Sequence, residues 1–173
     1  AKISWDPIFE KYRDVTRFEA GEQWDPGLKS RREKKKLSCL TINKISSKVK
    51  YIVNNVRNAM PSGKVHPIND GASVNTAKVF DGLIRSVDTR SSGKQARIHA
   101  FKQTVVGGLG SWRVLVVEGD AGKRDLRVDR IMDPTTVLID PAAKAMDFSD
   151  AEWAFLVSWV PKEEFEEQNP DVD

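Results

Sequence analysis

The chain has 173 residues, 39% hydrophobic and 31% charged, with a formal net charge of +3. That length suits one domain or a lobe of a larger one, and the apolar residues are too patterned for general disorder. No apolar run approaches the roughly 20 residues that span a bilayer, and the single Cys39 excludes an internal disulfide framework and fits a reducing compartment. No secretory signal is visible, and the chain opens on Ala1, so a processed or upstream start is expected.

The small net charge hides an asymmetry. Residues 29–102 carry +13, residues 103–173 carry −8, and residues 1–28 carry −2. Such polarity suits contact with a polyanion, or head-to-tail contact between subunits, positive surface to negative. It is equally compatible with an uneven solvated surface, because folding can mix the two regions in space.

In chain order, Asp6-Pro7 is a helix start, with Asp as cap and Pro in the first turn. Ile8, Tyr12, Val15 and Phe18 mark one helical face, and Gly21 ends the helix. A turn-rich connector with Trp24 as an aromatic anchor follows. Residues 28–36 have no apolar face, predict a solvated and mobile segment, and hold the densest positive charge. Ile45, Val49, Ile52, Val53, Val56 and Met60 predict a helix from about Thr41 to Met60, closed by Pro61. Lys64 to Ile68 reads as a short edge strand.

Val79, Phe80, Leu83, Ile84 and Val87 define a third helix, about Ser73 to Thr89. Ile98, Phe101 and Val105 define a fourth, about Lys94 to Val106. At Gly107-Gly108 the helical pattern stops, turns through Gly110 and becomes a strand opening with Trp112-Arg113. In that strand Trp112, Val114 and Val116 alternate with Arg113, Leu115 and Val117. Residues 118–123 form the turn, and Asp125 to Ile131 returns. Val137-Leu138-Ile139 is a short strand between two Asp-Pro turns. Residues 153–160, apolar on both faces, predict a strand covered on both sides. Pro161 starts a last acidic helix, ended at Asn169-Pro170. The plan is α+β: amphipathic helices over 6–106, a small antiparallel β-meander over 107–160, and a short helix over 161–169.

The residues offer little chemistry. Gly107, Gly108 and Gly110 close a helix and open a strand, whereas a phosphate cradle follows a strand and opens a helix. They read as a hinge, with Gly108, Gly110, Trp112 and Arg113 as structural anchors beside Trp24. His66 and His99 have no ligand-spaced partner, so no metal site is expected. Asp125, Asp129, Asp133, Asp140, Asp147 and Asp150 could be Mg²⁺ ligands of a nuclease, but turns select Asp without any metal. Arg31, Arg32, Lys34, Lys35 and Lys36 suit phosphate or inter-subunit contact. No aromatic interleaves them, which argues against recognition of single strands or bases. No catalytic residue and no cofactor are expected.

Several short words, in order, carry a resemblance. They are Gly21 to Asp25 after the first helix, Leu40 to Ile45 leading into Val53-Asn54-Asn55-Val56-Arg57-Asn58, and Gly82-Leu83-Ile84-Arg85. Next come Gly108-Leu109-Gly110-Ser111-Trp112-Arg113-Val114, Arg130 to Pro134 with Ile139-Asp140-Pro141, and Asp147 to Ala151. Together they resemble the N-terminal, wing portion of the portal protein of short-tailed double-stranded-DNA bacteriophages. One departure is the spacing Asn58-Ala59-Met60-Pro61, longer than the nearly adjacent Asn and Pro of that family. The resemblance implies a non-enzymatic subunit of a ring, usually a dodecamer, at one capsid vertex of the virion, made in the bacterial host cytoplasm. Double-stranded DNA is packaged and ejected through the ring. A terminase, scaffolding protein and tail adaptor proteins are the implied partners, with no membrane. The channel-lining stem, the clip and the C-terminal helices would follow Asp173. The remaining readings are a DNA-binding module using 29–36 and a metal-dependent nuclease.

Overall fold

A computed structural model of the chain describes residues 2–68, 73–118, 122–145 and 147–170. Helices and small antiparallel ladders share the chain, an α+β arrangement as expected. In order they are α1 (Lys2–Ala20), α2 (Pro26–Lys34), α3 (Ile45–Asn58), α4 (Val74–Arg90), α5 (Gly93–Gly107), β1 (Trp112–Glu118), β2 (Arg124–Arg130), β3 (Val137–Ile139), β4 (Ala154–Leu156) and α6 (Lys162–Gln168). The strands form two separate two-stranded ladders, β1–β2 and β3–β4. Contacts divide the chain into two units, Glu10–Pro134 on the one hand and Ala1–Phe9 with Thr135–Asp173 on the other.

In the larger unit, α5 packs on α3, α4 and both strands of the first ladder. The apolar stripes of α3 and α5 meet. Val49, Val53 and Ile98 are buried together, with Met60, Phe101, Val105 and Val106 against them. Covering such side chains stabilises the unit by about 1.5–3 kcal/mol each. Gln103 is buried on α5, and its Nε2 donates to the carbonyls of Ile131 (3.3 Å) and Met132 (2.7 Å). This ties the segment leaving β2 to the helix. The β1–β2 register pairs Arg113 with Asp129 and Val114 with Val128. The middle of the 118–123 turn, residues 119–121, lies outside the described residues.

The glycine junction is a place of close approach. Gly108 caps α5 in the left-handed region (φ 79°), its amide donating to Thr104 O at 2.9 Å. A Cβ at Gly110 would run into the Ala100 carbonyl and Thr104 Oγ1, and one at Gly107 into the Tyr12 ring. The chain can fold back on the last turn of α5 because no side chain intervenes.

The smaller unit is built round β3–β4, whose pairing is Val137 with Leu156, Leu138 with Phe155 and Ile139 with Ala154. Trp5 is buried, stacks on Phe9 at 5.6 Å, and donates from Nε1 to Ile139 O at 2.8 Å.

Six expectations are corrected. Helix α1 begins before Pro7, which lies inside it. Its buried residues are Trp5, Phe9 and Tyr12, leaving Ile8, Val15 and Phe18 exposed, because the two aromatics four residues apart bury more area than the aliphatic stripe. Residues 28–36 are mostly helical, since Asp25 caps α2 by accepting from Leu28 N at 2.9 Å and Pro26 occupies the first turn. Residues 64–68 form no strand: neither ladder offers them a partner, and Ile68 is 93% exposed. The 153–160 strand shortens to three residues with both faces open, and Trp159 is 92% exposed. On α4 the apolar stripe Val79, Phe80, Leu83 and Ile84 points to solvent, and the buried residue is Ala77.

Candidate functional site

The first basic surface is the run from Arg31 to Lys36. Arg31 and Lys34 lie in α2 and Lys35 and Lys36 just after it, all exposed. Arg32 is engaged otherwise. Its guanidinium sits 5.1 Å from the Trp24 ring centroid, and Nη2 donates to Ser38 O at 2.9 Å. Trp24 Nε1 donates to Leu40 O (3.2 Å), and Asn43 Nδ2 donates to Glu19 O (2.6 Å). Asn43 also accepts from Ser46 N at 3.2 Å, so one amide joins the end of α1 to the start of α3. Arg32 and Trp24 thus order the segment 37–44, while four cations of the run remain free to face solvent.

The second basic surface was not singled out from the sequence. A groove of about 530 Å³ is lined by buried Val53 and Ile98 and by Gln95 and His99. Four cations from three elements complete it: Arg57 of α3, Lys94 and Lys102 of α5, and Arg130 of β2. No acidic residue lines it, and none of the four makes an ion pair among the described residues. The contrast with the surrounding arginines is clear. Arg85 pairs with Asp81 (2.8 Å), Arg90 with Asp125 (2.6 Å), Arg97 with Asp88 (2.7 Å) and Arg113 with Asp129 (3.0 Å). His99 feels the uncompensated charge. Desolvation first, then Arg130 and Lys102, hold its pKa below the ordinary 6.5, so the ring stays neutral near pH 7. Its Nδ1 is buried without a partner. The visible signal was the spacing Lys94, Ile98, Lys102, which puts both lysines on one side of a helix; Arg57 and Arg130 join only through packing.

The structure disperses the other candidates. Asp125 and Asp129 are salt-bridged. Asp140 is buried, accepting from Ala142 N (2.9 Å) and Glu152 N (3.4 Å). Asp147 accepts from the Ser149 hydroxyl and amide, and Asp150 from Lys144 N at 2.7 Å. Those bonds hold both carboxyls below the usual range, the Ser149 hydroxyl leading for the first and the Lys144 amide for the second. Asp140, Asp147 and Asp150 shape turns. Among the described residues no three His, Cys, Asp or Glu side chains gather as a metal site. No helix there is long and apolar enough to cross a membrane. Trp112 lies under the Arg97 guanidinium at 5.9 Å, and Arg113 bridges to its cross-strand partner.

The described residues show clamped loops, close helix contacts, an uncompensated groove and several bare apolar faces. The profile of the family described as Phage P22-like portal protein matches residues 4–173, and the chain belongs to that family. It is also similar to a protein named portal protein from Acyrthosiphon pisum secondary endosymbiont phage 1, at 30% identity over 179 residues. That match covers 96% of this chain and 25% of the relative, so the chain spans about a quarter of the relative's length.

Proposed function

We propose that the chain is a wing-like, structural part of a phage portal subunit. In this reading the complete protein closes into a ring, dodecameric by family resemblance, at the capsid vertex of the virion. Double-stranded DNA passes through it during packaging and ejection. Terminase, scaffolding protein and tail adaptors are its partners, and the part described here acts by contact and not by catalysis. The observation that carries the reading is the family match over residues 4–173. The bare apolar residues support it. Phe80, Leu83, Ile84, Phe155 and Trp159 are all more than half exposed, as expected of faces that other parts of a larger assembly cover. Mass photometry of the full-length protein should give one discrete large oligomer. A monomer at every concentration would remove the ring.

A second reading keeps the exposed Arg31, Lys34, Lys35 and Lys36 as a duplex-DNA contact. Affinity should then fall with salt with a log–log slope of about −0.9 per phosphate. Unchanged binding after all four are replaced by glutamine would remove this reading.

A further inference from the structure

We infer that the groove between α3, α5 and β2 receives the acidic helix α6 of a neighbouring copy of this chain. The inference rests on the ring reading, because in a closed ring each contact joins two different patches of the same protein.

The groove first calls for an anion. Arg57, Lys94, Lys102 and Arg130 converge from three elements, all exposed and without carboxylate partners among the described residues, while neighbouring arginines are neutralised one by one. Four like charges so placed repel one another, and a ligand of opposite charge relieves that repulsion.

The size and lining then select the kind of anion. At about 530 Å³ the groove is the size of a small-ligand or short-segment pocket. No Phe, Tyr or Trp lines the groove, so unpaired bases would find only the half-buried His99 ring to stack on. Guanidinium groups at 57 and 130 can each grip a planar carboxylate through two parallel N–H donors.

This chain itself carries a matching element. Helix α6 reads Lys-Glu-Glu-Phe-Glu-Glu-Gln. Its Glu163, Glu166 and Glu167 fall at spacings of three and four, on one helical face, and all are exposed. Among the described residues Glu166 pairs with Lys162, at 3.3 Å across an open surface, a pair that yields easily to a better partner. Charge complementarity therefore runs from the positive middle of one copy to the negative end of the next, the same polarity that divides +13 over residues 29–102 from −8 over residues 103–173.

The test uses the full-length protein. Mass photometry of the unaltered protein comes first, and absence of a ring overturns the ring reading and this contact with it. With a ring present, a 1:1 mixture of light and ¹⁵N-labelled subunits is assembled and treated with a carbodiimide. Amide cross-links between Lys94 or Lys102 of one copy and Glu163, Glu166 or Glu167 of the other are expected in mixed-isotope pairs. Next, Lys102→Glu with Arg130→Glu should raise the concentration needed for assembly by about tenfold or more. Glu163→Lys with Glu167→Lys should do the same, and combining all four should restore assembly. Cross-links found only within one copy, or assembly unaffected by either pair, would overturn the contact while leaving the ring intact. So would duplex-DNA retention that depends on Lys102 and Arg130 without any inter-copy cross-link, which would make the groove a phosphate site.

Discussion

Helices α4 and α5 follow one another in the chain and are buried to different extents. Helix α4 has a clean apolar stripe, yet Phe80, Leu83 and Ile84 are 54%, 53% and 54% exposed, and its buried residue is Ala77. Helix α5 turns its Ile98 stripe to α3 and also buries Gly93, Ala96, Ala100 and Gln103. The difference lies in the number of neighbours. Helix α5 is packed by α3, α4, β1 and β2, so small residues set how near each can come. Helix α4 touches α5 and β2 through a narrow strip and keeps its large side chains outside. Amphipathic pattern alone therefore does not identify a core helix; the placement of glycine and alanine says more here.

Substitutions can break that comparison, most strongly in α5. Replacing Ile98 by Ala leaves a void between α3 and α5 and should cost about 3 kcal/mol. The readout is loss of hydrogen-exchange protection at α3 and α5 in the full-length protein. Next, Gly110→Ala drives a methyl into the Ala100 carbonyl and should cost about 2–3 kcal/mol, seen as lost protection at the end of α5 and the start of β1. On α4 the sign reverses. A Cβ at Gly82 meets nothing within 4 Å, so Gly82→Ala should stabilise the helix by about 0.5–1 kcal/mol. Equal losses from Gly82→Ala and Gly110→Ala would sink the distinction. Leu83→Gln should leave local protection within about 0.5 kcal/mol and act, where it acts, on assembly.

The smallest effect is that of pH on His99. Its folded-state pKa lies below 6.5, so below that value the unfolded chain binds more protons than the folded one. The stabilisation is complete above 6.5 and is lost as pH falls through the depressed folded value. Protection of α5 in unassembled subunits should drop across that window, and His99→Gln should flatten the dependence. An unchanged slope in the variant would assign the pH effect elsewhere.

Several of these features were legible in the sequence, for physical reasons that differ by region. The stripes of α3 and α5 were, because Val49, Val53 and Ile98 bury one continuous surface. The helix-to-strand turn at 107–112 was, because three glycines have few other uses there. The family was also legible, through short words spread over the chain. Helix α2 was not: its helicity comes from the Asp25 cap and from Arg32 held on Trp24, neither of which makes an apolar stripe. The buried side of α1 was misread because Trp5 precedes the proline taken as the start. The groove was hidden because its cations are scattered over residues 57–130, and only Lys94 and Lys102 share a helical face.

The segment 37–44 is held by polar contacts. Trp24 and Arg32 donate to its Leu40 and Ser38 carbonyls at 3.2 and 2.9 Å, and its own Asn43 donates to Glu19 O at 2.6 Å. Hydrogen bonds of this kind weaken steeply with distance and angle, whereas apolar contacts yield gradually. The segment has little apolar burial of its own, with Leu40 and Ile42 exposed. Its placement therefore depends on those three donors more than on apolar packing, whereas α3 and α5 are joined by buried Val49, Val53 and Ile98.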